Sequence, residues 1–204
     1  QKYHTVFCIF TSTKIIPLFD KVREASYTKN KHYSLFLIDS LTTSFGLGLM
    51  VQKAAEEASK GKSPIEIERI IHSMIPLTYS VLCTPGLSYL YYSGFVDKAQ
   101  SLITEMLELY PIFTVEDGHL TPLEKMKTQR HTMGYFQEFI EEFEVLNNIS
   151  ILQSALTPFK EPKINFQNGQ KPFIAKHMVN TPLATIFGPH LFGLFLLEND
   201  LASF

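Results

Sequence analysis

The apolar and polar positions of this chain form short apolar runs that are separated by segments with helical spacing. Thr5 to Phe10 reads as a strand, and a polar turn separates it from Ile15 to Tyr27, where apolar residues recur at helical intervals. Pro17 fits the first turn of that predicted helix. A second apolar run, Leu35 to Ile38, is typical of a strand that is buried on both faces in a parallel sheet.

A turn rich in Ser, Thr and Gly follows the second strand. Its hydroxyl residues between Ser40 and Ser44 can cap a helix that contains Gly46 and Gly48 in its first turn and runs through Ala58. Ser63, followed by Pro64 and Glu66, predicts the start of another helix. Two βα units with short connections indicate an α/β layer, and such layers bind ligands at the carboxyl ends of their strands.

The second half of the chain changes character after Pro76 and is rich in turn signals. The sequence Glu116-Asp117-Gly118 between two extended runs predicts a β-hairpin. Further strands are expected over residues 79–83, 149–152 and 173–178, and helical segments over 87–107, broken near Gly94, and over 128–146. Residues 157–171 are expected to be irregular. Gly188-Pro189 interrupts an apolar tail that is read as a strand and a buried helix meeting at a tight turn.

Composition excludes several classes of protein. The 204 residues carry 18 Lys and Arg against 20 Asp and Glu, for a net charge of −2, which argues against nucleic acid as the main partner. No apolar run is long enough to span a membrane. The two cysteines, Cys8 and Cys83, lie in apolar contexts and are expected to be buried free thiols in a reducing compartment. The protein is therefore expected in the cytoplasm.

Catalytic and metal-binding patterns are weak. Neither the histidines nor the cysteines have the spacing of a metal site, and we expect no metal and no cofactor. Cys83 has no recognisable base beside it, and the pairs Glu56-Glu57 and Glu141-Glu142 are expected on exposed helix faces. A phosphate- or nucleotide-dependent enzyme that uses the Gly46 turn remains an alternative, although Val51 stands where the dinucleotide fingerprint requires a third glycine.

Four segments, taken in their order along the chain, resemble segments of a known protein family. They are IDSLTTSFGLGLMVQKAAEEASKGKS at 38–63, LSYLYYSGFVDKAQSLITEML at 87–107, PIFTVEDGHLTPLEKMKTQR at 111–130 and GPHLFGLFLL at 188–197. In this order the chain resembles the DegV family of bacterial fatty-acid-binding proteins over nearly its whole length.

The resemblance implies a two-lobed α/β fold that binds a long-chain fatty acid between the lobes and is not an enzyme. We expect a parallel-sheet lobe over residues 1–76, shortened at its N-terminus, a second α/β lobe over 77–180, and a C-terminal segment, 181–204, that returns to the lobe interface. Some members of the family present the fatty acid to a separate kinase, so a fatty acid kinase is the expected partner.

The resemblance also implies site residues. The fatty acid carboxylate would be held by Ser12 and Thr13 after the first strand and by Thr185 and Gly188 at the late turn. The walls of the acyl tunnel would include Ile16, Phe187 and Phe192, and contact with the partner protein would involve Lys127 and Arg130.

The ligand motifs depart from the family pattern. Ile15 to Leu18 replaces a turn that in the family contains a hydroxyl residue, and Ile186 and Phe95 stand where the family has polar or basic residues. Apolar groups in place of polar contacts would leave a buried carboxylate under-satisfied, at a cost of several kcal/mol. A degenerate, ligand-free interaction or scaffold protein of the same fold is therefore the alternative function.

Overall fold

The computed structural model describes residues 4–27, 33–156, 159 and 172–198. The strands are β1 (Thr5–Phe10), β2 (Ser34–Asp39), β3 (Thr78–Cys83), β4 (Tyr110–Glu116), β5 (His119–Met126), β6 (Leu146–Gln153), β7 (Phe173–Met178) and β8 (Phe192–Glu198). The helices are α1 (Phe19–Tyr27), α2 (Ser44–Ser59), α3 (Pro64–Met74), α4 (Ser88–Tyr92), α5 (Lys98–Met106), α6 (Gln129–Glu141) and α7 (Thr181–Phe187). Apart from Phe159, the stretch 157–171 that was predicted to be irregular lies outside the described residues.

The chain divides into two compact units. The first contains residues 1–78 and 115–120, and the second contains residues 79–114 and 121–204. Within the described residues, no helix combines the length and the apolar character that crossing a bilayer requires.

The first unit is built on the parallel pair β1 and β2. The two strands are in register from Thr5 opposite Ser34 to Phe10 opposite Asp39, which confirms the predicted parallel pairing. Ile38 forms a core with residues of α2 and α3, but the rest of β2 is only half-buried. The prediction of a strand buried on both faces was therefore wrong for most of its length, because the described sheet of this unit has only two strands.

The helix boundaries of the first unit follow local signals only in part: Thr43 is the N-cap of α2, but it makes no side-chain capping hydrogen bond, so the predicted hydroxyl cap is absent. The predicted helix start at Ser63 is confirmed, and Ser63 and Glu66 form a capping box there, with the Ser63 hydroxyl accepting from the Glu66 amide at 3.4 Å. By contrast, α1 begins at Phe19 rather than Ile15, because the amides of Ile15 and Ile16 form a single turn on the Ser12 carbonyl and Pro17 then has no N–H group to continue a helical ladder.

The second unit is organised by a mixed sheet with the strand order β5-β4-β3-β8-β6-β7. Its core includes Val81, Phe136, Ile149 and Phe192, and the rings of Phe136 and Phe192 meet edge to face with centroids 4.9 Å apart. The hairpin between β4 and β5 is confirmed. The predicted turn at Gly188 is also confirmed, although the helix, α7, comes first and the strand, β8, second.

Glu57 corrects one expectation of the sequence analysis. Its side chain in α2 is only 3% exposed, whereas we expected a solvated helix face. Three ammonium groups surround the carboxylate: the Nζ atoms of Lys53 and Lys60 lie 3.0 Å from Oε1, and that of Lys62 lies 2.7 Å from Oε2. Hydrogen bonds from Lys62, Lys60 and Lys53, in decreasing order of effect, lower the pKa of Glu57 to about 2.

We predict that Glu57→Gln destabilises the protein at neutral pH and that the effect fades under acid conditions. Because the pKa of the carboxyl group falls from 4.5 in the unfolded chain to about 2 in the fold, its contribution is complete above pH 4.5 and is lost as the pH falls through about 2. Urea denaturation of wild type and variant across this range measures the difference. Glu24→Gln, an exposed helix carboxylate in the same unit, is the matched control. A pH-independent difference for Glu57→Gln would contradict the ion-pair explanation.

Candidate functional site

Polar turns follow β1 and β2 at the same end of the parallel pair. Ser12 and Thr13 follow the first strand, and Ser40 and Thr42 follow the second. Backbone hydrogen bonds join the two turns, since the Ser40 amide donates to the Phe10 carbonyl at 3.0 Å and the Ser12 amide donates to the Thr42 carbonyl at 2.8 Å. The register of the strands therefore brings together hydroxyl residues that lie far apart in the sequence.

Asp39 holds the two turns with one carboxylate. Its Oδ2 accepts from the Thr13 amide at 3.2 Å, and its Oδ1 accepts from the Leu41 amide at 3.1 Å. Hydrogen bonds to a charged acceptor each contribute about 1.5–3 kcal/mol. Leu41 and Ser44 adopt φ values of 50° and 51°, which are unfavourable for residues other than glycine. The hydrogen bond from the Leu41 amide to Asp39 helps to stabilise the backbone at Leu41.

The two predicted hydroxyls of this region have different roles. The fully buried Ser12 hydroxyl donates to the Gly118 carbonyl at 2.7 Å and accepts from the Lys14 amide at 3.2 Å. The Thr13 hydroxyl oxygen is buried and has no hydrogen-bond partner among the residues that the structure describes. The Ser12 hydroxyl is therefore satisfied within the fold, whereas the Thr13 hydroxyl has no partner among the described residues.

The glycines at the start of α2 are not equivalent. A Cβ atom added to Gly46 would lie 2.6 Å from Thr42 Oγ1 and 2.8 Å from Thr78 Cγ2, whereas one added to Gly48 would meet nothing within 4 Å. Gly46 thus permits α2 to pack closely against Thr42 and Thr78. Gly48 has no such role, and these distances provide no evidence for a phosphate cradle.

We predict opposite effects for alanine at these two positions. Gly46→Ala should destabilise the protein by about 1–3 kcal/mol, because both contacting threonines are short, β-branched residues that cannot move far. Gly48→Ala should stabilise it by about 0.5–1 kcal/mol, because the position is helical and open. Chemical denaturation of both variants measures the two values. Destabilisation of similar size in both would show that the contacts at Gly46 are not the cause.

A second polar turn lies in the second unit, where α7 ends. Gly188 has a φ of 90°, and a Cβ atom there would lie 3.0 Å from the Tyr89 ring. The buried Thr84 hydroxyl, just beyond β3, donates to the Phe187 carbonyl at 2.8 Å. Packing against Tyr89 and this hydrogen bond together hold the Gly188 turn.

The other predicted ligand residues have neighbours of their own. The exposed Thr185 hydroxyl donates to the Pro182 carbonyl at 2.8 Å. Phe187 and Phe192 are buried in the second unit, the latter against Phe136, while Ile16 is exposed in the turn before α1. Ser12, Thr13 and Ile16 belong to the first unit, and Thr185, Phe187, Gly188 and Phe192 belong to the second. Their joint role in a ligand site stays a prediction.

Lys127 and Arg130 lie on the exposed surface at the start of α6. Arg130 lines an open surface groove of about 390 Å³ together with His131, Tyr135 and Glu138. Burial of the Tyr135 ring and the nearby carboxylates of Glu142, Glu124 and Glu138 raise the pKa of its phenol. The groove is lined by the cationic side chain of Arg130 and the anionic side chain of Glu138.

The described residues contain no cluster of His, Cys, Asp or Glu suited to a metal ion. Both cysteines are free, but only Cys83 is buried, whereas Cys8 is partly exposed. Burial raises the pKa of the Cys83 thiol, which makes it a poor nucleophile. The prediction of free thiols is confirmed, and the prediction of burial holds for Cys83 alone.

We predict that one thiol of the native protein reacts rapidly with Ellman's reagent and that the second reacts only after unfolding. Cys8 should be the fast group because it is accessible, and Cys83 the slow one because burial disfavours its thiolate. Cys8→Ser should remove the fast phase and Cys83→Ser the slow phase. Rapid reaction of both thiols in folded protein would contradict this assignment.

Sequence reasoning missed several residues that shape these turns: Asp39, Thr84, Tyr89 and Gly118. Asp39 was noted only as part of a family pattern, although a carboxylate directly after a strand and before a hydroxyl-rich turn is a typical signal for backbone capture. The contacts of Gly118 and Tyr89 leave no local signal, since each joins positions that are distant in the sequence.

A model of the protein family described as "Uncharacterised protein, DegV family" matches residues 1–199. The chain belongs to the DegV family. A DegV domain-containing protein of Caldanaerobacter subterraneus subsp. tengcongensis is 32% identical over 105 residues, which are 52% of this chain and 38% of that protein. Another from Clostridium perfringens is 25% identical over 142 residues, which are 68% of this chain and 50% of that protein. The chain thus spans half or less of the length of these relatives.

Solved structures share the fold. A DegV family protein from Eubacterium eligens, loaded with heptadecanoic acid, has a TM-score of 0.80 at 15% identity, over 97% of this chain and 74% of that one. The fatty acid kinase B3 protein of Streptococcus pneumoniae, loaded with linoleic acid, has a TM-score of 0.73 at 13% identity, over 96% of this chain and 72% of that one. These similarities confirm the predicted α/β fold of the DegV type.

Proposed function

We propose that this chain binds a long-chain fatty acid and that the Thr13 hydroxyl is a direct donor to its carboxylate. The observation that carries the proposal is this buried hydroxyl, which lacks a partner among the described residues. An unpaired buried polar group costs free energy, and a ligand oxygen would satisfy it. The neighbouring N-terminus of α2 adds a positive dipole end that favours an anion.

The remaining residues of the proposed site follow from the family. Ser12 would position Thr13, while Gly188 and Thr185 would contribute to the carboxylate end from the second unit. Ile16, Phe187 and Phe192 would contact the acyl chain. Support comes from the fatty acids in the DegV structures with the same fold. In this proposal the protein binds its ligand in the cytoplasm and does not transform it.

A kinase that phosphorylates the bound fatty acid is the proposed partner. The exposed Lys127 and Arg130 would contact it, and Arg130 lines a surface groove into which a partner side chain could insert. The name of the pneumococcal neighbour, a fatty acid kinase B3 protein, supports a kinase as the class of partner.

One observation favours the alternative, a ligand-free scaffold. Three of the predicted donors already have acceptors inside the chain: the Ser12 hydroxyl bonds to Gly118, the Thr13 amide to Asp39 and the Thr185 hydroxyl to Pro182. A ligand carboxylate would have to rely on Thr13 or break one of these bonds. The proposed lipid binding therefore requires the Thr13 hydroxyl to donate to the ligand carboxylate, whereas a ligand-free scaffold does not.

We predict that Thr13→Val weakens palmitate binding about ten- to a hundredfold, because a hydrogen bond to a charged acceptor is worth about 1.5–3 kcal/mol. The variant keeps the shape of the side chain, and its ligand-free stability should be unchanged or slightly higher, since it removes an unpaired hydroxyl. Calorimetric titration measures the affinity and thermal unfolding measures the stability.

Ser12→Ala is the matched control, because it should lower ligand-free stability by about 1–3 kcal/mol through loss of a buried hydrogen bond. Native mass spectrometry of protein purified from cells provides a second readout. If no fatty acid copurifies and palmitate produces no thermal shift in wild type, the scaffold function replaces the lipid-binding one. If palmitate binds equally well to Thr13→Val, lipid binding stands but the assignment of Thr13 is wrong.

A further inference from the structure

The charges on helix α6 are distributed against its dipole. Arg130 lies in the first turn, which contains no acidic residue, and Glu138 and Glu141 lie in the last turn, which contains no basic residue. Carboxylates are favoured at the positive N-terminal end of a helix and cations at its negative C-terminal end, so this order of charges weakens the isolated helix. Among the described residues, the salt bridges lie in α1 and around α2 and involve none of these three side chains.

Gly134, near the middle of α6, is a second feature that packing within the chain does not explain. The residue is exposed, and a Cβ atom added to it would meet nothing within 4 Å. Glycine inside a helix is destabilising relative to alanine, and it is favoured where another backbone approaches closely. Gly134 also lines the open groove that contains Arg130 and Glu138. A second helix can therefore approach the α6 backbone closely at this point.

The exposed charges of α6 are symmetric about Gly134. Arg130 and Glu138 lie four residues on either side of it, which places each about 6 Å from the glycine along the helix axis, on one ridge of the helix surface. Lys127, which directly precedes the helix cap, and Glu141 lie seven residues on either side. These five exposed residues form the outer face of α6, and the face carries two cations and two anions.

We infer that the outer face of α6 binds the same face of a second copy of this chain, with the two helices antiparallel and the twofold axis at Gly134. This axis brings Arg130 of each copy to Glu138 of the other, and it puts Lys127 at the end of the interface that carries the other copy's Glu141. A twofold contact is self-complementary in this sense, since residue i meets residue j and j meets i. The helices cross at the two glycines, where no side chain separates the backbones.

Charge complementarity identifies a second copy as the occupant of this face. An anionic membrane or an acidic partner would attract Lys127 and Arg130 but would repel Glu138 and Glu141, and a basic partner would meet the reverse penalty. An antiparallel copy places an opposite charge opposite each of the four. It also sets the positive end of each helix dipole beside the negative end of the other. Charges that are unfavourable within one helix are therefore favourable between two.

The interface overlaps the surface proposed for the kinase, because Lys127 and Arg130 belong to both. A dimer would therefore compete with the kinase for this surface. The inference goes beyond lipid binding and does not rest on it, since dimer formation is measured without fatty acid and without kinase. Its failure would leave the palmitate titration unaffected.

The test is analytical ultracentrifugation of the full chain from about 1 to about 100 µM, a range that covers micromolar affinity. Wild type should convert from monomer to dimer within this range. Arg130→Glu and Glu138→Arg should each raise the dimer dissociation constant by about tenfold or more, because each variant puts two like-charge pairs in the interface. Lys98→Glu, at an exposed cation that begins α5, is the matched control and should leave the dissociation constant unchanged.

An equimolar mixture of Arg130→Glu and Glu138→Arg gives the most specific readout. In the mixed dimer both contacts again join opposite charges, so the mixture should associate like wild type although neither variant does so alone. Loss of folding in a variant cannot produce this rescue. Raising the salt concentration from about 0.05 to about 0.5 M should weaken the wild-type dimer, since salt screens exposed charge pairs.

Three results would overturn the interface. A wild-type chain that stays monomeric throughout the range would exclude a second copy and leave the outer face of α6 to a different protein partner. A dimer that withstands both charge reversals, or a mixture of folded variants that does not associate, would place the dimer contact on another surface. Circular dichroism melts establish that each variant is folded, and the salt dependence of wild type tests the charge pairs without any substitution.

Discussion

The carboxylate of Asp39 is the interaction on which the polar end of the first unit depends. Parallel pairing sets Asp39 opposite Phe10, and the carboxylate can then accept from the Thr13 amide on one side and the Leu41 amide on the other. Without these bonds, two partly buried amides would lose their partners, and the left-handed backbone at Leu41 would lose a stabilising contact. The Asp39 carboxylate thus holds Thr13 and Leu41 in place, while backbone hydrogen bonds join the two turns beside it.

That constraint also limits the chemistry of the site. The Asp39 carboxylate accepts the hydrogen bond of the Thr13 amide, and the Gly118 carbonyl accepts that of the Ser12 hydroxyl. The donor left for a ligand at the Ser12-Thr13 pair is a neutral hydroxyl, which suits recognition of an anion without a full counter-charge.

Local signals allowed most of the secondary structure to be predicted. The strand at Thr5–Phe10, the helix start at Ser63 and the hairpin at Asp117-Gly118 are encoded within a few neighbouring residues, so they were predicted from the sequence. The start of α1 was misplaced, because Pro17 has no N–H group and so ends the turn that two amides form on the Ser12 carbonyl. Burial of Glu57 was missed, because Lys62 lies beyond the helix that contains the carboxylate and folds back to reach it.

The sequence by itself determined the family, the α/β class and the residue types available for binding a carboxylate, since motif order and periodicity are properties of the chain alone. The tertiary structure decided which of those residues already use their hydrogen-bonding groups within the fold. Ser12 and Gly118 are 106 positions apart, and only folding makes them partners. Burial in α5 was likewise decided by the fold, where Ser101 and Thr104 are buried while Leu102, Ile103 and Met106 are exposed, because burial depends on what packs against a helix and not on its composition.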